Sequence, residues 1–284
     1  MTGHRYVICD VFTNRPLAGN QLAVFPDARA IPESLLQPLA REINFSETVF
    51  AYPPIAGGHV RIRIFTPGHE VPFAGHPVLG SAFVLGAPLE GGEIRLETGR
   101  GIVPVRLRRD GRRIVFGWMS QPIPSMAPFG DATALLEALG IGRSMLPVDV
   151  YDNGLQHVYV MLETEDAVAR LAPDVGALAR ALPGRCMNCF AGGGRTWKTR
   201  MFACDDPSVG VLEDPATGSA AGPLAVHLVR HRVIAFGEEI EIAQGAEVGR
   251  PSTLHARVSG HGGRVEQVEV GGSALIVGQG ELTL

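Results

Sequence analysis

Between Val60 and Phe65 the chain alternates, with Ile62 and Ile64 set against Arg61 and Arg63, and this period of two predicts a strand with one buried face. Residues 5–12, RYVICDVF, have the β-branched and aromatic content of a strand, and residues 14–20, with Pro16 and Gly19, read as a turn into a second strand, QLAVF. Leucines at 35, 36 and 39 predict a short helix from Pro32 to Glu42, and Pro38 should kink or shorten it because proline brings no N–H to the helical ladder. In INFSETVFAY the helix has ended and Thr48, Val49 and Phe50 return to strand character. Residues 93–119 hold three strand-like runs, the last two joined across Asp110-Gly111, a dipeptide suited to a tight hairpin.

QPIPSMAPFG, with Pro122, Pro124 and Pro128, reads as a crossover, followed by a helix, DATALLEALG, that stops at Gly140. Two strands flank Asn153-Gly154, a helix is expected from Asp166 to Leu182, and short strands dominate from Glu238 onward. Two stretches abandon the alternation. After Gly75 comes HPVLGSAFVLGA and after Asp214 comes PATGSAAGPLAVHLV, both apolar or small on nearly every side, as a helix buried all round requires. Pro77 and Pro215 are expected at the first helical position, where a missing N–H costs nothing.

These two stretches share a frame. His76-Pro77-x-x-Gly80-Ser81-Ala82 can be set on Asp214-Pro215-x-x-Gly218-Ser219-Ala220 at an offset of 138 residues, and Arg63-x-Phe65 on Arg200-x-Phe202 at 137. A period near half of 284 residues implies two similar halves rather than a solenoid. Many strands and one apolar helix per half exceed what alternating strand–helix units provide, so the expected α/β architecture is a sheet curled around a central helix, twice. The halves are set at 1–127 and 128–284, with the last strand, about 273–284, open to pairing with either.

Composition narrows the function. Lys plus Arg number 25 against 29 Asp plus Glu, a net charge of −4, so nothing favours nucleic acid or an anionic membrane, and a small molecule is the expected partner. Five arginines, at 106, 108, 109, 112 and 113, crowd one hairpin and read as solvated positions. No run approaches the ~18 apolar residues of a membrane span, and no signal peptide is expected from the opening MTGHRYVICDVF, which goes straight into a strand-like run. Cys9, Cys186, Cys189 and Cys204 form no disulfide framework and fit a reducing cytoplasm; Cys186-x-x-Cys189 lacks the ligands of a zinc site and reads as two buried structural thiols.

The candidate chemistry is proton transfer. Glu47 sits where a helix gives way to a strand, and His76 and Asp214 each precede a buried helix whose free N–H groups favour an anion. Either could equally serve as a helix cap, and Glu47 as a solvated carboxylate. Burial raises a carboxyl pKa, which lets one group take a proton and later return it. No phosphate loop or dinucleotide fingerprint competes, since Gly192-Gly193-Gly194 has the spacing of neither.

At these residues the chain closely resembles the PhzF family of phenazine biosynthesis. DVFTNRPLAGNQLAVF from Asp10, REINFSETVF from Arg41, RIFTPGHEVPFAGHPVLGSA from Arg63, NCFAGGGRTW from Asn188, GVLEDPATGSAAGPLAVHLVRH from Gly210 and GRPS from Gly249 carry the resemblance over nearly the whole chain. It implies a diaminopimelate epimerase-like fold of two pseudo-symmetric halves, a homodimer, an active site between the halves, and no metal or organic cofactor. It places the acid/base glutamate on Glu47, the cleft histidine on His76 and the cleft aspartate on Asp214, with substrate contacts at Ser46, Gly75, Gly218 and Ser219. Its epimerase relatives use two cysteines where this chain has His76 and Asp214, so two-thiol racemisation is not expected. The implied reaction is isomerisation of trans-2,3-dihydro-3-hydroxyanthranilate by moving a proton from C3 to C1. The alternatives are a relative acting on another small cyclic or amino-acid-like carboxylate, or a protein that binds such a carboxylate without turning it over.

Overall fold

The computed structural model describes residues 3–203 and 212–284. They fall into two compact units, the first comprising residues 3–120 and 271–284, the second residues 121–203 and 212–270. Cys204 lies outside the described residues.

The first unit contains β1 (Gly3–Val11), β2 (Asn20–Phe25), α1 (Glu33–Ile43), β3 (Glu47–Tyr52), β4 (Val60–Phe65), β5 (Glu70–Val71), α2 (Gly75–Gly86), β6 (Glu93–Thr98), β7 (Gly101–Asp110) and β8 (Arg113–Gln121), whose final residue begins the second unit. The second continues with β9 (Ser125–Pro128), α3 (Thr133–Leu139), β10 (Asp149–Asp152), β11 (Gln156–Met161), α4 (Glu165–Ala169), α5 (Val175–Ala181), β12 (Cys186–Gly193), β13 (Thr196–Phe202), β14 (Glu213–Asp214), α6 (Gly218–Arg230), β15 (Glu239–Gln244), β16 (Ser252–His261) and β17 (Arg264–Gly272), whose last two residues belong to the first unit. The last strand, β18 (Ala274–Thr283), pairs antiparallel with β1 and so belongs to the first unit.

In each unit a sheet wraps one apolar helix. α2 packs against β1, β2, β3, β6 and β7, and α6 against β11 and β16. Both helices are buried around their circumference, from His76 through Phe83 in one and from Gly218 through Leu228 in the other. Small residues make the close approach possible: a Cβ on Gly80 would stand 2.6 Å from Leu22 Cδ2, and one on Gly222 would stand 2.4 Å from Gln121 Oε1. α1 runs eleven residues through Pro38 and is not cut short; it ends at Asn44, whose left-handed φ of 54° turns the chain toward β3. The helix expected from Asp166 to Leu182 is two helices, with Pro173 in the break between α4 and α5.

Strand pairing shows the repeat and corrects its register. β2 and β3 are parallel, β3 and β4 antiparallel, β5 lies antiparallel on β4, and β4 runs parallel to β6. β11–β12, β12–β13, β13–β14 and β13–β15 repeat that series in order. Glu70 faces Phe65 across β5–β4 and Glu213 faces Phe202 across β14–β13. The counterparts are therefore Glu70 and Glu213, Val71 and Asp214, Gly75 and Gly218, His76 and Ser219. The offset of 138 residues is out of register, because Gly80-Ser81-Ala82 lies inside α2 whereas Gly218-Ser219-Ala220 opens α6. One tripeptide serves two needs, close packing in mid-helix and exposed backbone N–H groups at a helix start. Pro77 is accordingly the third residue of α2 and not the first, and Pro215 lies before α6 altogether.

Candidate active site

In the first unit the structure brings Glu47 and His76 together. The left-handed turn at Asn44 sets Glu47 as the first residue of β3, opposite Leu22 of β2, with its side chain 15 % exposed. His76 is the second residue of α2 and is buried. Its Nε2 stands 3.2 Å from Glu47 Oε2, and its Nδ1 stands 3.2 Å from Nδ2 of Asn20, the first residue of β2. Burial holds the imidazole neutral, pushing its pKa down to about 3; a hydrogen bond with the Gln21 backbone works the other way and is outweighed. The Glu47 carboxyl thus lies beside a neutral ring. Gly75, buried, opens α2, and Ser46 immediately precedes Glu47.

In the second unit Asp214, Gly218 and Ser219 are held at the start of α6. Asp214 Oδ2 accepts from Thr217 Oγ1 at 2.6 Å, which ties its carboxylate to the residue just before α6. Gln244 knits the turn: its Nε2 donates to the Asp214 carbonyl at 2.8 Å and to Thr217 Oγ1 at 2.9 Å, while its Oε1 accepts from the Thr217 N–H at 3.2 Å. Gln121 Nε2 donates to the Gly218 carbonyl at 2.8 Å, Asn153 Nδ2 to the Ser219 carbonyl at 2.8 Å, and Tyr159 Oη to the Ala220 carbonyl at 2.7 Å. Ser219 Oγ lies 3.1 Å from Nε2 of the fully buried His157.

Sequence reasoning missed Asn20, His157, Asn188 and Gln244. The available signal was a polar residue on the core side of an apolar strand, as His157 is in QHVYVM, since a buried imidazole needs partners. Cys186 and Cys189 stand three positions apart on β12 and therefore on opposite faces; Cys189 is buried, but Cys186 only half so. The arginine-rich hairpin includes one structural anchor, Arg109, whose Nη2 donates to the carbonyls of Gly86 and Leu89 at 2.7 and 2.8 Å.

One cluster among the described residues has metal-ligand chemistry, with donor atoms of Asp149, His227 and His231 within 4.8 Å of one another. Asp149 Oδ2 already meets His231 Nε2 at 2.8 Å and Arg230 Nη1 at 3.1 Å. A guanidinium on that oxygen opposes a bound cation, so the cluster is an ion-pair knot tying the end of α6 to β10. A cleft of about 840 Å³, lined by Met126, Val229, Ile234 and Phe236 among others, is lined by none of the candidate site residues Ser46, Glu47, Gly75, His76, Asp214, Gly218 and Ser219.

A sheet wrapped around a buried helix, built twice, is the architecture of epimerase-like proteins. A hydroxyproline epimerase from Agrobacterium vitis shares it with a TM-score of 0.67 at 12% identity, over 99% of this chain and 91% of that one. The chain belongs to the PhzC-PhzF family, described as phenazine biosynthesis-like protein, whose model matches residues 9–280. A PhzF-family phenazine biosynthesis protein from Bacillus anthracis has the same fold, with a TM-score of 0.88 over the whole of both chains at 24% identity. The trans-2,3-dihydro-3-hydroxyanthranilate isomerase of Pseudomonas aeruginosa is 49% identical over 281 residues, covering 99% of this chain and all of that protein. No helix among the described residues is long and apolar enough to cross a membrane.

Proposed function

We propose that this chain is a cofactor-independent isomerase that converts trans-2,3-dihydro-3-hydroxyanthranilate to the isomer whose enol relaxes to an aminoketone. The observation that carries the reading is 49% identity, over the full length of both chains, to the isomerase of that name. The Glu47–His76 contact supplies chemistry suited to it. Glu47 removes the proton from C3; those electrons form C3=C4, the C4=C5 pair moves to C5=C6, and the C1=C6 pair takes a proton at C1. The same carboxyl returns the proton it removed, so atoms and charge balance without an external acid. His76, neutral, stands 3.2 Å from Glu47 through Nε2 and adds no positive charge beside it.

Ser46, Gly75 and Gly218 contact the substrate through backbone or hydroxyl groups, and Asp214 orients its amino group. The protein works as a homodimer in the cytoplasm, on a small carboxylate. Glu47→Gln keeps shape and removes the proton acceptor, so kcat should fall by about 10²–10⁴. Proton NMR in deuterated water tests this: the parent should lose the C3 proton signal and rearrange the ring, and the variant should leave the substrate unchanged. A folded Glu47→Gln that turns over at the parent rate removes Glu47 from the mechanism.

A further inference from the structure

We propose that His157 is a positioning residue that fixes the direction of the Ser219 hydroxyl, making it a hydrogen-bond donor committed to an oxygen of the substrate. The inference rests on the isomerase reading for its substrate, and on three buried residues of one unit for its geometry. Ser219 is the second residue of α6 and the counterpart of His76. His157 lies on β11, where its counterpart on β2 is Leu22, because Leu22 pairs with Glu47 and His157 with Cys186. The first unit thus puts an imidazole directly at the helix start. The second puts a hydroxyl there and an imidazole behind it.

The direction of the hydroxyl follows from Asn188. Its Nδ2 lies 3.4 Å from the carbonyl oxygens of Val158 and of Cys186, contacts that only the nitrogen side of the amide can make favourably. The same Nδ2 lies 3.2 Å from His157 Nδ1. An amide nitrogen donates, so Nδ1 accepts and the ring proton sits on Nε2. Burial keeps the ring neutral, lowering its pKa to about 4, so one tautomer serves throughout the neutral range. Nε2–H then donates to Ser219 Oγ across 3.1 Å, and the serine's own hydrogen must point elsewhere.

Ser219, His157 and Asn188 have the composition of a nucleophilic triad but the opposite polarity. In such a triad the third residue accepts from Nδ1–H, leaving Nε2 free to take the serine proton. Here Nε2 already carries its proton and cannot act as base. What the arrangement can do is present an oriented O–H to an acceptor. The matching substrate group is a carboxylate or hydroxyl oxygen, and not an ammonium.

Long-range ¹H–¹⁵N spectra of the labelled protein at pH 7 read the tautomer directly. A proton on Nε2 of His157 is expected; a proton on Nδ1, or an imidazolium, overturns the proposal. The spectrum needs no variant, so it decides even where a His157 substitution does not fold. Turnover of trans-2,3-dihydro-3-hydroxyanthranilate gives the second readout. Ser219→Ala and His157→Phe should each lower kcat/KM about tenfold, the worth of one oriented hydrogen bond, and the double variant should lose no more than Ser219→Ala alone. Losses that multiply to roughly a hundredfold mean that the two residues act independently, which sinks the proposal. A parent protein that leaves this substrate untouched overturns the isomerase reading, while the tautomer still decides the role of His157.

Discussion

The two units carry counterpart ion pairs in very different surroundings, and breaking each in turn should expose the difference. Arg200 is 7 % exposed and donates to Glu213 through Nε and Nη2 at 2.8 and 2.7 Å; its Nη1 donates to the Leu171 carbonyl at 2.6 Å. The Glu213 side chain is 12 % exposed. Arg63 makes the same two bonds to Glu70, at 2.7 and 2.6 Å, but also reaches Glu33 at 2.6 and 2.8 Å, and those carboxylates are 42% and 74 % exposed. Glu213→Ala leaves a buried guanidinium facing neutral carbonyls. Such a loss costs about 3–5 kcal/mol, reduced to about 2–4 because water reaches part of the pair and Glu247 adds a distant negative charge. Glu70→Ala leaves Arg63 with Glu33 and water, a cost of about 0.5–1 kcal/mol. Urea denaturation of the two variants, with unchanged m values, would measure both. Equal losses, or the larger loss in Glu70→Ala, would refute the claim that burial and not the shared geometry sets the strength of these pairs.

The buried histidines predict a pH dependence of stability. The folded pKa values of His76 and His157, about 3 and about 4, lie below the unfolded value near 6.5. Their contribution is therefore complete above about pH 6.5 and lost as pH falls toward 4, at up to about 1.4 kcal/mol per pH unit for each ring. Urea midpoints should drop between pH 7 and pH 5, and NMR titration of either imidazole near pH 6.5 would contradict the structure. Gly80→Ala should destabilise the first unit by about 1–3 kcal/mol, because the added methyl meets Leu22 Cδ2 at 2.6 Å and Val11 Cγ2 at 2.7 Å. A thermal midpoint equal to the parent's would show that α2 can move away from its sheet.

Local signals were legible where one residue type has one physical use. Gly140 takes the left-handed cap of α3, Asp110-Gly111 closes the β7–β8 hairpin with Gly111 at φ 57°, and Ile62 and Ile64 form the buried face of β4. Glu47, His76, Asp214 and Ser219 were named from motifs, and the structure sets the first two 3.2 Å apart. Glycine, serine and alanine misled, because GSA packs a helix interior in α2 and opens a helix in α6, and letters alone do not distinguish those uses.

The sequence by itself determined the two apolar helices, the strands around them, the doubling of the chain and the family, since each rests on a pattern carried by consecutive residues. Tertiary structure decided which residues are counterparts, that His76 is neutral, and that Asn188, 31 positions from His157, sets the tautomer of the ring behind Ser219. Those depend on strand register and on exclusion of water, and both arise only when distant segments pack.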